Sequence, residues 1–150
     1  MLKTDVVIVG AGAVGCAIAR ELSKYHVDVV VVDKRDDVGG DASKSNSGII
    51  CSGYDAYPDT LESKLIVAAN PMFDKLAAEL EFPFVRCGAI LPAFTDEQYE
   101  KLPSIKENAF KNHVYDIEYL SSEQILAIEP ELNPEVKGGL FIPRESIIDP

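Results

Sequence analysis

The sequence predicts an α/β fold that opens with a strand–helix–strand unit on a parallel sheet and continues into a mixed α+β region. Three observations predict it. Val6-Val7-Ile8-Val9 is a short β-branched run stopped by a glycine, which reads as a buried strand. Residues 13–25 carry Val14, Ile18 and Leu22 at every fourth position, while Arg20, Glu21 and Lys24 fall off that stripe, so the segment reads as an amphipathic helix. Residues 28–32 are again almost all valine. Two fully apolar strands joined by one helix imply a parallel sheet covered on both faces.

Further along, residues 33–59 are rich in glycine, serine, aspartate and lysine, interrupted only by Gly48-Ile49-Ile50. A loop of that length in a compact domain is more often functional than a simple connector. Leu61, Leu65, Ala68, Met72, Leu76 and Leu80 have helical spacing with Pro71 inside. Asn70 is suited to cap a helix that begins at Pro71, so two abutting helices or one kinked helix are expected. Residues 84–94 read as a strand containing Gly88, and residues 95–111 as a weak helix interrupted at Pro103. Residues 116–120 alternate like a strand. Ser121-Ser122-Glu123-Gln124 offers a capping box for a short helix ending before Pro130. Residues 139–143 form a last short strand. The final Ile147-Ile148-Asp149-Pro150 has no polar tail and ends on a pair suited to starting a helix, as expected of a fragment of a longer chain.

Composition narrows the function classes. The chain has 150 residues, of which 47% are apolar and 26% charged, as in a globular domain. A formal net charge of -11 repels phosphate backbones, so nucleic acid is not an expected partner. Cys16, Cys51 and Cys87 are odd in number and widely spaced, which argues against a disulfide framework or a zinc site and for reduced thiols. His26 and His113 have no partner at metal-ligand spacing, and no metal is expected. Ala13-Val14-Gly15-Cys16 is similar to a lipoprotein cleavage site, but Asp5 and three glycines break the apolar run that a secretion signal needs. No stretch is long and apolar enough for a transmembrane helix. Asp36-Asp37 and Glu129 with Glu131 read as solvated faces. Arg86 and Arg144 are the best cations for an anionic substrate, although a structural role is the more ordinary one for each.

Gly10-Ala11-Gly12-Ala13-Val14-Gly15 fits the pattern G-x-G-x-x-G. Its context gives it weight: it follows a valine strand, opens a helix, and is followed by a second valine strand ending in Asp33, 18 residues beyond Gly15. This is a Rossmann-like dinucleotide-binding unit. Gly10 permits the turn, Gly12 lets a pyrophosphate approach the backbone, and Gly15 lets the helix pack on the strand. The helix N-terminus offers free N–H groups to the diphosphate. Asp33 accepts hydrogen bonds from the ribose hydroxyls and would repel a 2′-phosphate. The choice between NAD and FAD rests on residues 43–55, a dense run of small and hydrogen-bonding side chains where an NAD domain would turn back into a helix. That run favours FAD.

Residues 43–55 resemble the D-amino-acid oxidase (glycine oxidase-like) superfamily of FAD-dependent oxidoreductases. Together with Asn70-Pro71-Met72-Phe73 they are similar to the branch of anaerobic glycerol-3-phosphate dehydrogenase and L-2-hydroxyglutarate oxidase. The likeness continues through Phe84-Val85-Arg86-Cys87-Gly88, Ile128-Glu129-Pro130 and Gly138-Gly139-Leu140 to Asp149-Pro150. It implies that Gly10, Gly12 and Gly15 hold the pyrophosphate, Asp33 the ribose, and that Lys34 lies beside the adenosine. Ser43 and Lys44 would sit near the pyrophosphate, and Asn46, Ser47 and Gly48 under the ribityl chain and ring. Cys51 takes the flavin-adjacent position where that branch usually has histidine, so the catalytic group is open.

The resemblance also implies an organisation and a reaction. Residues 1–83 would begin an FAD-binding domain, 84–143 a mixed α+β substrate domain, and 144–150 a return toward the first. The reaction would be oxidation of a secondary alcohol by hydride transfer to flavin. The small-molecule substrate would be sn-glycerol 3-phosphate, with a 2-hydroxy acid such as L-2-hydroxyglutarate as the alternative. A quinone or an electron-acceptor protein would take the electrons. A non-catalytic FAD-binding module is the reading from a different class. A cytoplasmic location, or one at the inner face of the membrane, is implied.

Overall fold

A computed structural model describes residues 3–149, which fall into two compact units, residues 3–47 and 48–149. Pro150, with its expected part in a terminal return, lies outside the described residues. In the first unit β1 (Val6–Val9), α1 (Ala13–Leu22) and β2 (Val29–Val32) form the expected βαβ unit. The strands pair in parallel, Val6 with Val29 through Val9 with Val32. Helix α1 stops at Leu22 rather than at residue 25. The N–H groups of Lys24 and Tyr25 donate three residues back, to Glu21 and Leu22, which tightens the chain out of the α-helix.

Two expectations about this unit are corrected. The stripe of Val14 and Ile18 does not face the sheet; both are exposed. The buried position is Gly15, flanked by half-buried Ala19 and Leu22, because small residues let the helix axis approach β1 closely. The sheet is also covered on one side only. Ile8 lies under α1 and is buried, whereas Val7 and Val9 alternate to the other face and are 55% and 85% exposed. Residues 3–47 hold one helix, and one helix covers one face of a two-stranded sheet.

The second unit carries two antiparallel sheets. β3 (Ile49–Ile50), β8 (Ser146–Ile148) and β4 (Phe84–Val85) form one, with β8 central. β5 (Ala89–Ala93), β7 (Gly138–Ile142) and β6 (Glu118–Ser121) form the other, with β7 central. The strand expected over 84–94 is therefore two strands in different sheets. Gly88, at φ +70°, makes the break in a left-handed conformation that suits glycine. The terminal isoleucines, expected to precede a helix, form the central strand β8, because Ile147 finds Ile49 on one side and Val85 on the other.

Helix α2 (Leu61–Ala69) and α3 (Phe73–Leu80) abut through a 3-10 turn, Asn70–Met72. Asn70 has helical backbone angles and stands at the C-terminal end of α2 instead of capping the start of a new helix; its side chain is used elsewhere. Helix α4 (Asp96–Lys111) continues unbroken past Pro103, against the expected interruption. Its start is secured by a capping box between Thr95 and Gln98. Leu102 and Ala109, on either side of the proline, are buried and offset the roughly 3 kcal/mol that an interior proline costs. Helix α5 (Ser122–Ile128) starts with the expected capping box, Ser121 with Gln124, and ends before Pro130.

The core of this unit joins Ala93, Leu102, Ala109, Val114, Ile117, Leu140 and Ile142. Val114 reaches it through the end of α4. Its N–H donates to the carbonyl of Ala109 at 2.9 Å and that of His113 to Phe110 at 3.0 Å, a Schellman pair with His113 at φ 62°. Among the described residues no helix is long and apolar enough to cross a membrane.

Glu81 closes α3 at φ 57°, a left-handed position where a side chain is strained. Glu81→Gly should stabilise the protein by about 0.5–1 kcal/mol, read as a higher urea midpoint with an unchanged slope. A lower midpoint would show that Glu81 makes a compensating contact.

Candidate functional site

The first unit assembles its candidate site at the start of α1. Gly10 has φ +109° and ends β1 by donating its N–H to the carbonyl of Val32 at 2.7 Å. Gly12 occupies the N-cap position at φ -81°, an ordinary angle, so its requirement for glycine is one of space. A Cβ there would lie 3.0 Å from Ser43 Oγ. Gly15 is buried, and a Cβ on it would collide with the carbonyl oxygen of Gly10 and lie 3.3 Å from Ile8. The Ala13 N–H, first of the helix, donates to Ser43 Oγ at 2.9 Å. The 33–47 loop thus folds back onto the helix N-terminus, where partial positive charge favours an anionic group.

Asp33 stands at the end of β2, as expected. Its Oδ2 accepts the Ala11 N–H at 2.6 Å and its Oδ1 the Arg35 N–H at 2.8 Å. The Ala11 N–H first, and that of Arg35 second, hold its carboxyl below the usual aspartate range. A cavity of about 330 Å³ opens here, lined by Ala11, Cys16, Val31, Asp33, Arg35 and Val38. Asp36 and Asp37 also border it while remaining exposed, as expected of a solvated face. These dimensions and donors fit the adenosine half of a dinucleotide: an apolar floor, a carboxylate for hydroxyl groups, and a glycine-lined helix start for phosphates.

Gly10, Gly12, Gly15, Asp33 and Ser43 are therefore brought together. Lys34 is not among the cavity residues; its ammonium pairs with Asp41 at 2.9 Å, and Arg35 lines the cavity instead. Lys44 lies 4.0 Å from Asp37. The Asn46 side chain donates to the carbonyls of Ala42 and Ser43 and so shapes the turn. Ser47 is exposed. Alternation alone did not reveal Arg35 or Val38, because a loop carries no periodicity to read.

Gly48 and Cys51 belong to the second unit. Gly48 is buried at φ 68° and accepts the Ile148 N–H at 2.8 Å. Cys51 follows β3 as an exposed, free thiol, as Cys16 and Cys87 also are. The segment behind Cys51 is held by side chains that sequence reasoning had not assigned there. Asn70 donates to the carbonyls of Cys51 and Arg144, both at 3.0 Å. Asn112 donates to Gly53 at 2.8 Å and Ala56 at 2.7 Å, and Asn108 to Tyr54 at 2.9 Å and Ala56 at 3.0 Å. Glu145 Oε1 accepts both the N–H and the hydroxyl of Ser52. The one sequence signal for this was two asparagines four apart beside the apolar face of a helix.

Arg86 and Arg144 line one cavity of about 300 Å³ with Asn70, Asp74 and Asp116. Both already have carboxylate partners. Arg86 grips Asp74 through Nε and Nη2 and also reaches Asn70 and Ser146. Arg144 pairs with Asp116 at 2.9 Å. Each is thus engaged in an ion pair within this unit. His113 Nδ1 contacts the Tyr115 hydroxyl at 2.6 Å, and no metal-binding cluster occurs among the described residues.

A depressed carboxylate adds stability at and above the ordinary aspartate range and loses it as pH falls through its own lowered value. The Ala11 amide resonance should therefore titrate below the usual aspartate range, and Asp33→Asn should remove that titration. A midpoint at the ordinary aspartate value would overturn the Asp33–Ala11 contact.

Comparison with known proteins bears on the same residues. Residues 5–150 match the family model described as DAO, FAD dependent oxidoreductase. The chain is 44% identical over 146 residues to a glycerol 3-phosphate dehydrogenase of Caloramator mitchellensis, covering 97% of this chain and 30% of that protein. It is 32% identical over 148 residues to the mitochondrial L-2-hydroxyglutarate dehydrogenase of Dictyostelium discoideum, covering 97% and 33%. Among solved structures, the dithionite-reduced L-alpha-glycerophosphate oxidase of Mycoplasma pneumoniae with FAD bound superposes with a TM-score of 0.89 at 34% identity, covering 99% of this chain and 40% of that one. The chain thus spans about a third of the length of these relatives. With its βαβ unit, its glycine-lined helix start and a family match over nearly its whole length, this chain belongs to the DAO family of FAD-dependent oxidoreductases.

Proposed function

We propose that this chain is the N-terminal part of an FAD-dependent dehydrogenase or oxidase that oxidises sn-glycerol 3-phosphate at its secondary alcohol. The observation that carries the cofactor half is the helix start of α1, where Gly12 leaves room and Asp33 stands beside the Ala11 N–H. The 44% identity to a glycerol 3-phosphate dehydrogenase supports the substrate. The 32% identity to an L-2-hydroxyglutarate dehydrogenase supports a 2-hydroxy acid as the second reading.

In this reading Gly10, Gly12 and Gly15 admit the pyrophosphate to the α1 N-terminus, with Ser43 and Lys44 beside it. Asp33 accepts the ribose hydroxyls, and Arg35 rather than Lys34 lies beside the adenosine. Asn46, Ser47 and Gly48 run under the ribityl chain and ring, and Cys51 is the flavin-adjacent residue. When bound, the flavin supplies the hydride acceptor. The chain's own groups bind, orient and exclude water. Residues 1–83 begin the FAD-binding domain, 84–143 the substrate domain, and 144–150 return toward the first; the pairing of Ile147 with Ile49 supports that return. Electrons leave to a quinone or an acceptor protein, at a cytoplasmic site or on the inner face of the membrane.

The complete gene product should purify yellow, with a flavin absorbance spectrum, and should turn over sn-glycerol 3-phosphate. Turnover of L-2-hydroxyglutarate alone would move the assignment to the second reading. A flavin-loaded protein inactive on both would be a binding module. A colourless protein that binds NAD would refute the reading outright.

Gly12→Val tests the pyrophosphate site separately. At φ -81° a side chain is allowed, and its one near neighbour is the Ser43 hydroxyl, so melting should change little. Valine is stiff at χ1 and would stand where the diphosphate lies, so flavin content should fall to near zero. A variant that retains stoichiometric FAD would place the pyrophosphate elsewhere.

A further inference from the structure

We propose that Glu145 is a positioning residue: through Ser52 it fixes the strand end that carries Cys51, and it sets its carboxylate beside the residue-51 position. The flavin-adjacent role of Cys51 rests on the proposed function; the contact itself does not.

The geometry starts from register. β3 and β8 pair Ile49 with Ile147 and Ile50 with Ser146. Continued by one residue, the ladder sets Glu145 across from Cys51. Glu145 is 6% exposed and Ser52 1% exposed. One carboxylate oxygen accepts the Ser52 N–H at 2.6 Å and its hydroxyl at 2.7 Å. Glu145 is itself pinned through its backbone, accepting the Gly88 N–H at 3.0 Å. Charge-assisted bonds of this kind are short and strong, and in a buried place they leave little freedom to the backbone that donates. Ser52 points inward. Its neighbour Cys51 is exposed, with its carbonyl held by Asn70.

The same carboxylate acts on the thiol. The charged groups that act on Cys51 are Glu145 from the turn before β8, Asp55 from the loop after Cys51 and Glu62 from α2, all acidic. Burial first, and then Glu145 ahead of the other two, push the Cys51 thiol up. A raised thiol holds less thiolate at a given pH, and the thiolate is the nucleophilic form.

The test separates hydrogen bonding from charge. In a background whose other cysteines, Cys16 and Cys87 among them, are replaced by serine, the iodoacetamide alkylation rate of Cys51 is measured against pH. Glu145→Gln keeps an oxygen for both Ser52 donors and removes the charge. It should melt with the parent while alkylating about threefold or more faster at pH 7. Glu145→Ala should lose melting temperature, because it strands the buried Ser52 N–H. Ser52→Ala keeps the carboxylate and should leave the thiol slow. Equal alkylation in parent and Glu145→Gln would overturn the electrostatic role. Equal acceleration in Glu145→Gln and Ser52→Ala would reduce it to loosening. A Glu145→Gln chain that melts like Glu145→Ala would overturn the positioning role. None of these arms needs flavin, so a chain that binds none still tests Glu145. In flavin-loaded protein, Glu145→Gln should in addition shift the visible flavin spectrum.

Discussion

The close approach of α1 to β1 is the constraint on which the candidate cofactor site depends. Gly15 has no Cβ, so the helix lies where any other residue would strike the Gly10 carbonyl. That approach aims the helix N-terminus at the end of the strand. It brings the Ala13 N–H to Ser43 and the Ala11 N–H to Asp33. A helix held further from the sheet would keep the same glycine pattern and lose these contacts. The anion site is thus a consequence of packing as much as of loop chemistry.

A different device orders the second unit. Four buried or half-buried polar side chains, Asn70, Asn108, Asn112 and Glu145, converge on the backbone of residues 51–56. Each bonds main-chain groups of this segment, and a buried main-chain group left bare would cost about 1–3 kcal/mol. A loop tied at both carbonyls and N–H groups behaves like a strand although it forms no ladder. Arg86, held by Asp74 and reaching Asn70 and Ser146, extends the same lattice. Substitution within this lattice is expected to act on several anchors together, because the groups share partners.

The valine face of the first unit belongs to the same physical picture. Parallel strands rich in valine are stable when both faces are covered, and Val7 and Val9 carry an uncovered face here. Their hydrophobicity is a demand for a second layer. The chain accounts for about a third of the length of its relatives, which leaves ample further polypeptide in such proteins.

Read alone, the sequence determined the elements whose information is local. The valine strands, the glycine turn, Asp33 at the end of β2 and the capping box at Ser121 all follow from neighbouring residues. Their backbone preferences and hydrogen bonds close within a few positions. The tertiary structure decided what depends on distant partners. It turned the Gly15 side of α1 inward instead of the Val14–Ile18 stripe, since closeness to β1 favours the smaller face. It carried α4 through Pro103, since Leu102 and Ala109 are buried by strands elsewhere in the chain. It made the last isoleucines a central strand, since Ile49 and Val85 supply pairing that no local pattern encodes. It also placed Glu145 on Ser52, 93 residues away in sequence, because a buried carboxylate takes whichever donors the fold brings to it.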